Sequence, residues 1–298
     1  MFLPLLLAIS APAAPTVCEA VWHDSQRNRD IPVRIRMPGG NQPKAPVILF
    51  SHGLGGSIEA GKAWGIAWAE AGFMVIHIQH PGSDGPAVRA NGPQAAMAPQ
   101  QLIARAGDVR FVIDEIGKHP KAGACDLAKA DTAHIGMSGH SFGAHTTQAV
   151  AGQRFARGST VADTRIASAI AFSPAPPMRG PGTDEDAFGA ITIPFFSITG
   201  SEDEVPITPV KAADRQRPYR AMPAGGKYLL VFEGANHAAF GGQDFSSHGS
   251  APDGHVRPIL IRLTTLFWRW TLMQDDRAKA VLDQGDSALG PKDKFERH

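Results

Sequence analysis

The chain has 298 residues, 43% hydrophobic and 19% charged, which suits one large α/β domain or two small ones and excludes disorder as the main state. Its net charge of +1, without a basic block, provides no field for nucleic acid or an acidic membrane, so a nucleic-acid role finds no support. Two cysteines cannot build a multi-bridge scaffold or a zinc cluster, and 32 glycines with 24 prolines imply many turns between short elements, not a helical bundle.

In chain order, residues 1–10 read Met-Phe-Leu-Pro-Leu-Leu-Leu-Ala-Ile-Ser, followed by Ala11-Pro12-Ala13. Residues 1–14 resemble a secretory signal peptide cleaved after Ala13 or Ala14, although no Lys or Arg precedes the apolar run. The stretch is too short to span a bilayer, so no membrane span is expected and the protein is read as secreted or periplasmic. Export permits a Cys18–Cys125 disulfide, but spacing does not decide between a bridge and two buried thiols.

Residues 15–298 read as a single domain. Segments 17–22 and 32–37 look like a leading hairpin, antiparallel to the other strands. Short apolar runs at 47–50, 73–78, 134–137, 166–172, 195–198 and 228–232 alternate with helical patterns. These patterns are a helix over 59–71 stopped by Gly72, a helix marked by Leu102, Ala106, Val109, Ile113 and Ile116, and a C-terminal one marked by Val256, Leu260, Leu263, Phe267 and Trp270. Runs apolar on both faces suit central parallel strands covered by helices on each side, giving one mostly parallel α/β sheet. Segments 82–99 and 174–190, rich in Gly and Pro, read as loops at strand carboxyl ends, where such sheets bind ligands; neither is long enough for a large cap domain.

Gly139-His140-Ser141-Phe142-Gly143 matches Gly-x-Ser-x-Gly. Alone the pattern is weak, arising by chance in roughly one such chain in five. Here it follows a strand-like run and precedes a helix-like segment, the context in which a sharp turn exposes a serine hydroxyl at a helix N-terminus. A hydroxyl needs a base, and the base an orienting acid, in the chain order Ser, acid, His. Asp203 follows the 195–198 run and His237 follows the 228–232 run, so both stand where that order requires. Glu202 and Glu204 are rivals for the acid, and His248 and His255 for the base, each of these histidines lying further from a strand end. An oxyanion hole needs two backbone N–H donors. Phe142 supplies one, and the loop Ser51-His52-Gly53-Leu54-Gly55-Gly56 offers Leu54 for the other, with His52 bracing the loop.

Together these residues resemble the α/β-hydrolase superfamily, from about residue 46 to the C-terminal helix. The segments 50–56, 79–84 (Gln-His-Pro-Gly-Ser-Asp) and 139–143 are similar to the predicted dienelactone-hydrolase group, related to platelet-activating-factor acetylhydrolases and bacterial cutinase-like polyester hydrolases. The resemblance implies an α/β-hydrolase fold, nucleophile Ser141, acid Asp203, base His237, oxyanion amides at Leu54 and Phe142, and no cofactor. Dienelactone hydrolases proper use cysteine as nucleophile, so the serine here speaks against dienelactone itself. The expected activity is serine-esterase cleavage of carboxylic esters, small or polymeric, through an acyl-enzyme. Alternatives are an acyltransferase using the same triad and a non-catalytic binding protein on the same scaffold.

The remaining features have plainer readings. His134, His140 and His145 lack the carboxylate context of a metal site and read as packing, so no metal is expected. Trp64 and Trp68, four apart, read as core, while Trp268 and Trp270, two apart, cannot share a helix face. Phe142 and Phe240 are candidates for shaping an acyl pocket, and Asp184, Glu185 and Asp186 read as a solvated acidic loop. Oligomeric state and the natural ester are not legible.

Overall fold

A computed structural model describes residues 15–40, 42–176, 182–243 and 254–298. The expected signal peptide and His248 lie outside them. The strands are β1 (Thr16–Asp24), β2 (Arg29–Met37), β3 (Ala45–Ser51), β4 (Met74–Ile78), β5 (Lys121–Ala122), β6 (Cys125–Asp126), β7 (Ala130–His140), β8 (Ile166–Phe172), β9 (Phe195–Glu202), β10 (Lys227–Asn236) and β11 (Lys294–Arg297). The helices are α1 (Lys62–Glu70), α2 (Gly85–Ala96), α3 (Pro99–Ile116), α4 (Phe142–Ala151), α5 (Asp184–Phe188), α6 (Arg217–Ala221), α7 (Val256–Met273) and α8 (Asp276–Leu282).

Nine strands form one sheet in the order β1-β2-β4-β3-β7-β8-β9-β10-β11. From β4 through β10 every pairing is parallel. The leading hairpin is present, with one refinement: β2 alone runs against the sheet, pairing antiparallel with both β1 and β4, so β1 points the same way as the parallel strands. The edge strand β11, antiparallel to β10, carries no apolar run and is not visible in the sequence pattern.

The continuous apolar runs arise because both sheet faces are covered. Along β3, Ile48 and Phe50 enter one cluster with Trp64 and Trp68 of α1 and Leu263, Phe267 and Trp268 of α7. Val47 and Leu49 enter the other, with Ala106, Val109, Val112, Ile113 and Ile116 of α3. Alternate residues therefore serve opposite layers, as the strand period requires. Trp64 and Trp68 are core, as read from the sequence, stacking on Phe172 at ring-centroid distances of 5.5 and 6.4 Å.

Residues 82–99 are not the loop that their Gly and Pro content predicts. Asp84 caps a helix there, its carboxylate accepting from the Ala87 N–H, and a break at Gly92 (φ 78°) ahead of Pro93 divides it. The cap offsets a poor helix composition. Segment 174–190 lies partly outside the described residues. Its described part holds α5, where Thr183 and Asp186 form a capping box and Asp184 pairs with Arg217, so these carboxylates are engaged by the protein itself. Among the described residues no group of His, Cys, Asp or Glu could hold a metal, and no helix is long and apolar enough to cross a membrane. Cys18 on β1 and Cys125 on β6 form a disulfide, tying the first edge strand to the small β5–β6 hairpin.

Candidate active site

At the junction of β7 and α4, Ser141 adopts φ 58°, ψ −116°, a left-handed backbone that a serine occupies only under constraint. Its N–H donates to the Phe172 carbonyl and its own carbonyl accepts from Ala144. The flanking glycines are obligatory. A Cβ on Gly139 would meet the Gly143 carbonyl oxygen at 2.4 Å, and one on Gly143 would meet the Ser51 carbonyl oxygen at 1.9 Å. The turn thus lifts Ser141 above the sheet with the N-terminal, positive end of α4 behind it.

Asp203 is the first residue after β9, and His237 the first after β10, where a 3₁₀ turn over His237–Phe240 begins. His237 Nδ1 donates to Asp203 Oδ1 at 2.6 Å. Thr199 Oγ1 donates to the other carboxylate oxygen at 2.8 Å. Burial works to raise the Asp203 carboxyl, yet the His237 hydrogen bond and the Arg215 guanidinium outweigh it and hold the carboxyl below its usual range. The rivals stand elsewhere: Glu202 is exposed, Glu204 pairs with Lys211, and His255 pairs with Asp293.

Ser141, His237, Leu54 and Phe142 all line one cavity of about 330 Å³ at the carboxyl ends of the parallel strands, with Asp203 buried behind His237. His140 lies against His237 with ring centroids 4.6 Å apart, and its Nε2 donates to the His237 carbonyl at 3.0 Å. Burial above all, with His237 and Arg215 nearby, pushes His140 down to about 3, so it packs as a neutral ring. His134 instead pairs with Asp131.

The loop after β3 is braced by His52. Its Nε2 accepts from the His80 N–H at 3.0 Å, which leaves Nδ1 to donate to the Gly53 carbonyl at 2.6 Å. Burial, reinforced by Arg105 and His80, holds His52 well below the usual histidine range and keeps this neutral tautomer.

Two arginines escape the sequence reading. Arg105 on α3 is fully buried. Its guanidinium donates to Ser51 Oγ (2.9 Å), Ser83 Oγ (2.8 Å), Thr146 Oγ1 (2.8 Å) and the His52 carbonyl, and stands 4.6 Å from the Phe142 ring centroid. It therefore ties β3, the loop beyond it, residue 83 and α4 into one unit. Asp108, one turn on, accepts from Arg27, Arg29 and His80, and His80 in turn accepts from Ser51 Oγ at 2.8 Å. A signal existed: Arg105 and Asp108 interrupt the apolar stripe containing Ala106 and Val109. Arg215 has no such signal, sitting in the mixed run 211–217. Its Nε donates to the Asp203 carbonyl at 2.6 Å, and its Nη1 donates to the Ser173 carbonyl at 3.0 Å, where Ser173 is itself left-handed at φ 58°.

The sheet order and the loops at its carboxyl rim define a protein of the α/β-hydrolase fold. Residues 16–98 match the family described as platelet-activating factor acetylhydrolase, isoform II, which bears out the family resemblance read from the sequence. The matched stretch holds β1 to β4 and the Leu54 loop, and the match supports a serine hydrolase acting on esters. Ser141, Asp203 and His237 lie beyond it. No curated protein matches the chain.

Proposed function

We propose that the protein cleaves carboxylic esters by a Ser141-Asp203-His237 triad. The observation that carries this reading is the 2.6 Å hydrogen bond from His237 Nδ1 to buried Asp203, at a cavity that also holds Ser141 on its constrained turn. With Nδ1 donating to Asp203, Nε2 is the nitrogen left to accept a proton. Ser141 Oγ attacks the ester carbonyl as His237 Nε2 takes its proton. The oxyanion is held by the N–H groups of Leu54 and Phe142, each worth about 3–4 kcal/mol in the transition state. His237 then protonates the departing alcohol, leaving an acyl group on Ser141. Water, deprotonated by His237, attacks that ester; as the intermediate collapses, His237 returns the proton to Ser141 Oγ and the acid leaves.

The Cys18–Cys125 disulfide supports export to an oxidising compartment, in keeping with the signal-like N-terminus. Purified Ser141→Ala should lose hydrolysis of p-nitrophenyl acetate and labelling by a fluorophosphonate probe, both of which the parent shows. Retained turnover in the mutant would defeat the assignment.

A further inference from the structure

A second cavity of about 360 Å³ adjoins the first and shares four wall residues with it: Met97, Phe142, His145 and Ala175. Leu102 and Phe155 help line its far side. Among the described residues no Asp, Glu, Lys or Arg lines it, whereas Arg215 is among the residues lining the first. Burial pushes His145 down to about 4, so this wall too is neutral near neutral pH. An uncharged chamber of this size, sharing wall residues with a cavity that holds a candidate nucleophile, is suited to an apolar part of the substrate.

The chemistry assigns which part. In the proposed reaction the leaving oxygen must receive its proton from His237, so the alcohol half lies over His237, Ala238 and Gly241, which line only the first cavity. The acyl half must then extend to the opposite side of Ser141, past Phe142 and His145. The Phe142 ring cannot swing aside freely. Arg105 covers it, and His145 meets it edge-on at 6.2 Å.

We infer that the second cavity is an acyl-chain chamber, entered beside Ala175, which makes esters of straight, medium-length fatty acids better substrates than acetates. The inference rests on the esterase reading above and adds the substrate class to it. Each methylene that enters should raise kcat/KM by roughly fourfold, the equivalent of ~0.8 kcal/mol per buried CH₂, until the chamber is full.

The test uses two ester series on the full-length protein. One keeps p-nitrophenol as leaving group and lengthens the acyl chain from acetate through butyrate and hexanoate to decanoate. The other keeps the acetyl group and lengthens the alcohol. The expected result is a rise in kcat/KM with acyl length at least to hexanoate and no comparable rise in the alcohol series. Leu102→Trp, which fills the chamber, and Ala175→Leu, which narrows its mouth, should each lower the hexanoate-to-acetate ratio at least tenfold. The ratio is read within each variant that retains the parent's circular dichroism, so a change in folded fraction cancels. Two results would overturn the chamber while leaving the esterase standing: acetate turnover without a gain on the acyl side, or a hexanoate-to-acetate ratio that neither variant moves. Failure to turn over any ester, in the parent as in Ser141→Ala, would remove both readings.

Discussion

Arg215 Nε stands 3.0 Å from Asp203 Oδ1, the same oxygen that accepts the hydrogen bond from His237. Both side chains are buried, and the arginine also fixes the carbonyls of Asp203 and Ser173. The acid of the proposed triad is thus held from two sides, by the base that it orients and by a cation that it does not share with solvent.

Arg215→Met should lower kcat for p-nitrophenyl acetate by on the order of a hundredfold, the cost of displacing a reacting group by about 1 Å. Arg215→Lys should recover part of the loss, since an ammonium restores the charge but lacks the planar fork that reaches several oxygens at once. Steady-state kinetics on the three proteins decides this, and an undiminished rate in the methionine variant would show that Asp203 needs no such support.

Arg105→Met leaves Ser51 Oγ, Ser83 Oγ and the His52 carbonyl without their buried donor and takes a cation from the neighbourhood of Asp108. A loss of about 3–5 kcal/mol is expected from breaking a buried charge network on one side. Urea denaturation reads it from the midpoint at constant slope. A loss below about 1 kcal/mol would mean that the network relaxes around the gap.

Buried histidines set an acid limit to stability. Burial first, with nearby positive charge at each, pushes His77 and His140 to about 3 and His80 and His145 to about 4, from 6.5. Below pH 6.5 the unfolded chain binds protons that the native chain refuses, so each such residue favours unfolding by about 1.4 kcal/mol per pH unit down to its native value. Their contribution is absent above pH 6.5 and grows as the pH falls. The lowered Asp203 and Asp108 add a loss only when the pH drops below the ordinary carboxylate range near 3.8. Melting temperatures should therefore decline from about pH 6.5 downwards; a plateau reaching pH 5 would contradict the assigned neutral rings.

The Cys18–Cys125 bridge spans 107 positions in sequence. Cys125→Ser should cost about 2–4 kcal/mol, chiefly by freeing the unfolded chain. The unreduced, denatured parent should show no reactive thiol in a colorimetric assay, and two thiols per chain would refute the bridge.

Much of this was legible because the parallel strands are buried on both sides. Val47 to Phe50 could be read as a central strand with no partner known, and Ser141, Asp203 and His237 could be placed by counting strand ends. What escaped was fixed by tertiary contact. β11 pairs only four residues at an edge, and α2 starts from a capping Asp84 with Pro86 in its first turn, interrupted only at Gly92 ahead of Pro93. Cys18 and Cys125 meet only through the packing of β1 on β6. Arg105 and Arg215 matter through where their guanidinium groups arrive, which residue type alone does not encode.

Phe142 faces two demands with separate parts of one residue. In the proposed chemistry its amide serves the reaction, while the residue also lines both cavities. Any amino acid except proline supplies that N–H. Side-chain swaps at position 142 should therefore alter which esters fit while keeping the proposed backbone donor, provided the new side chain still packs under Arg105.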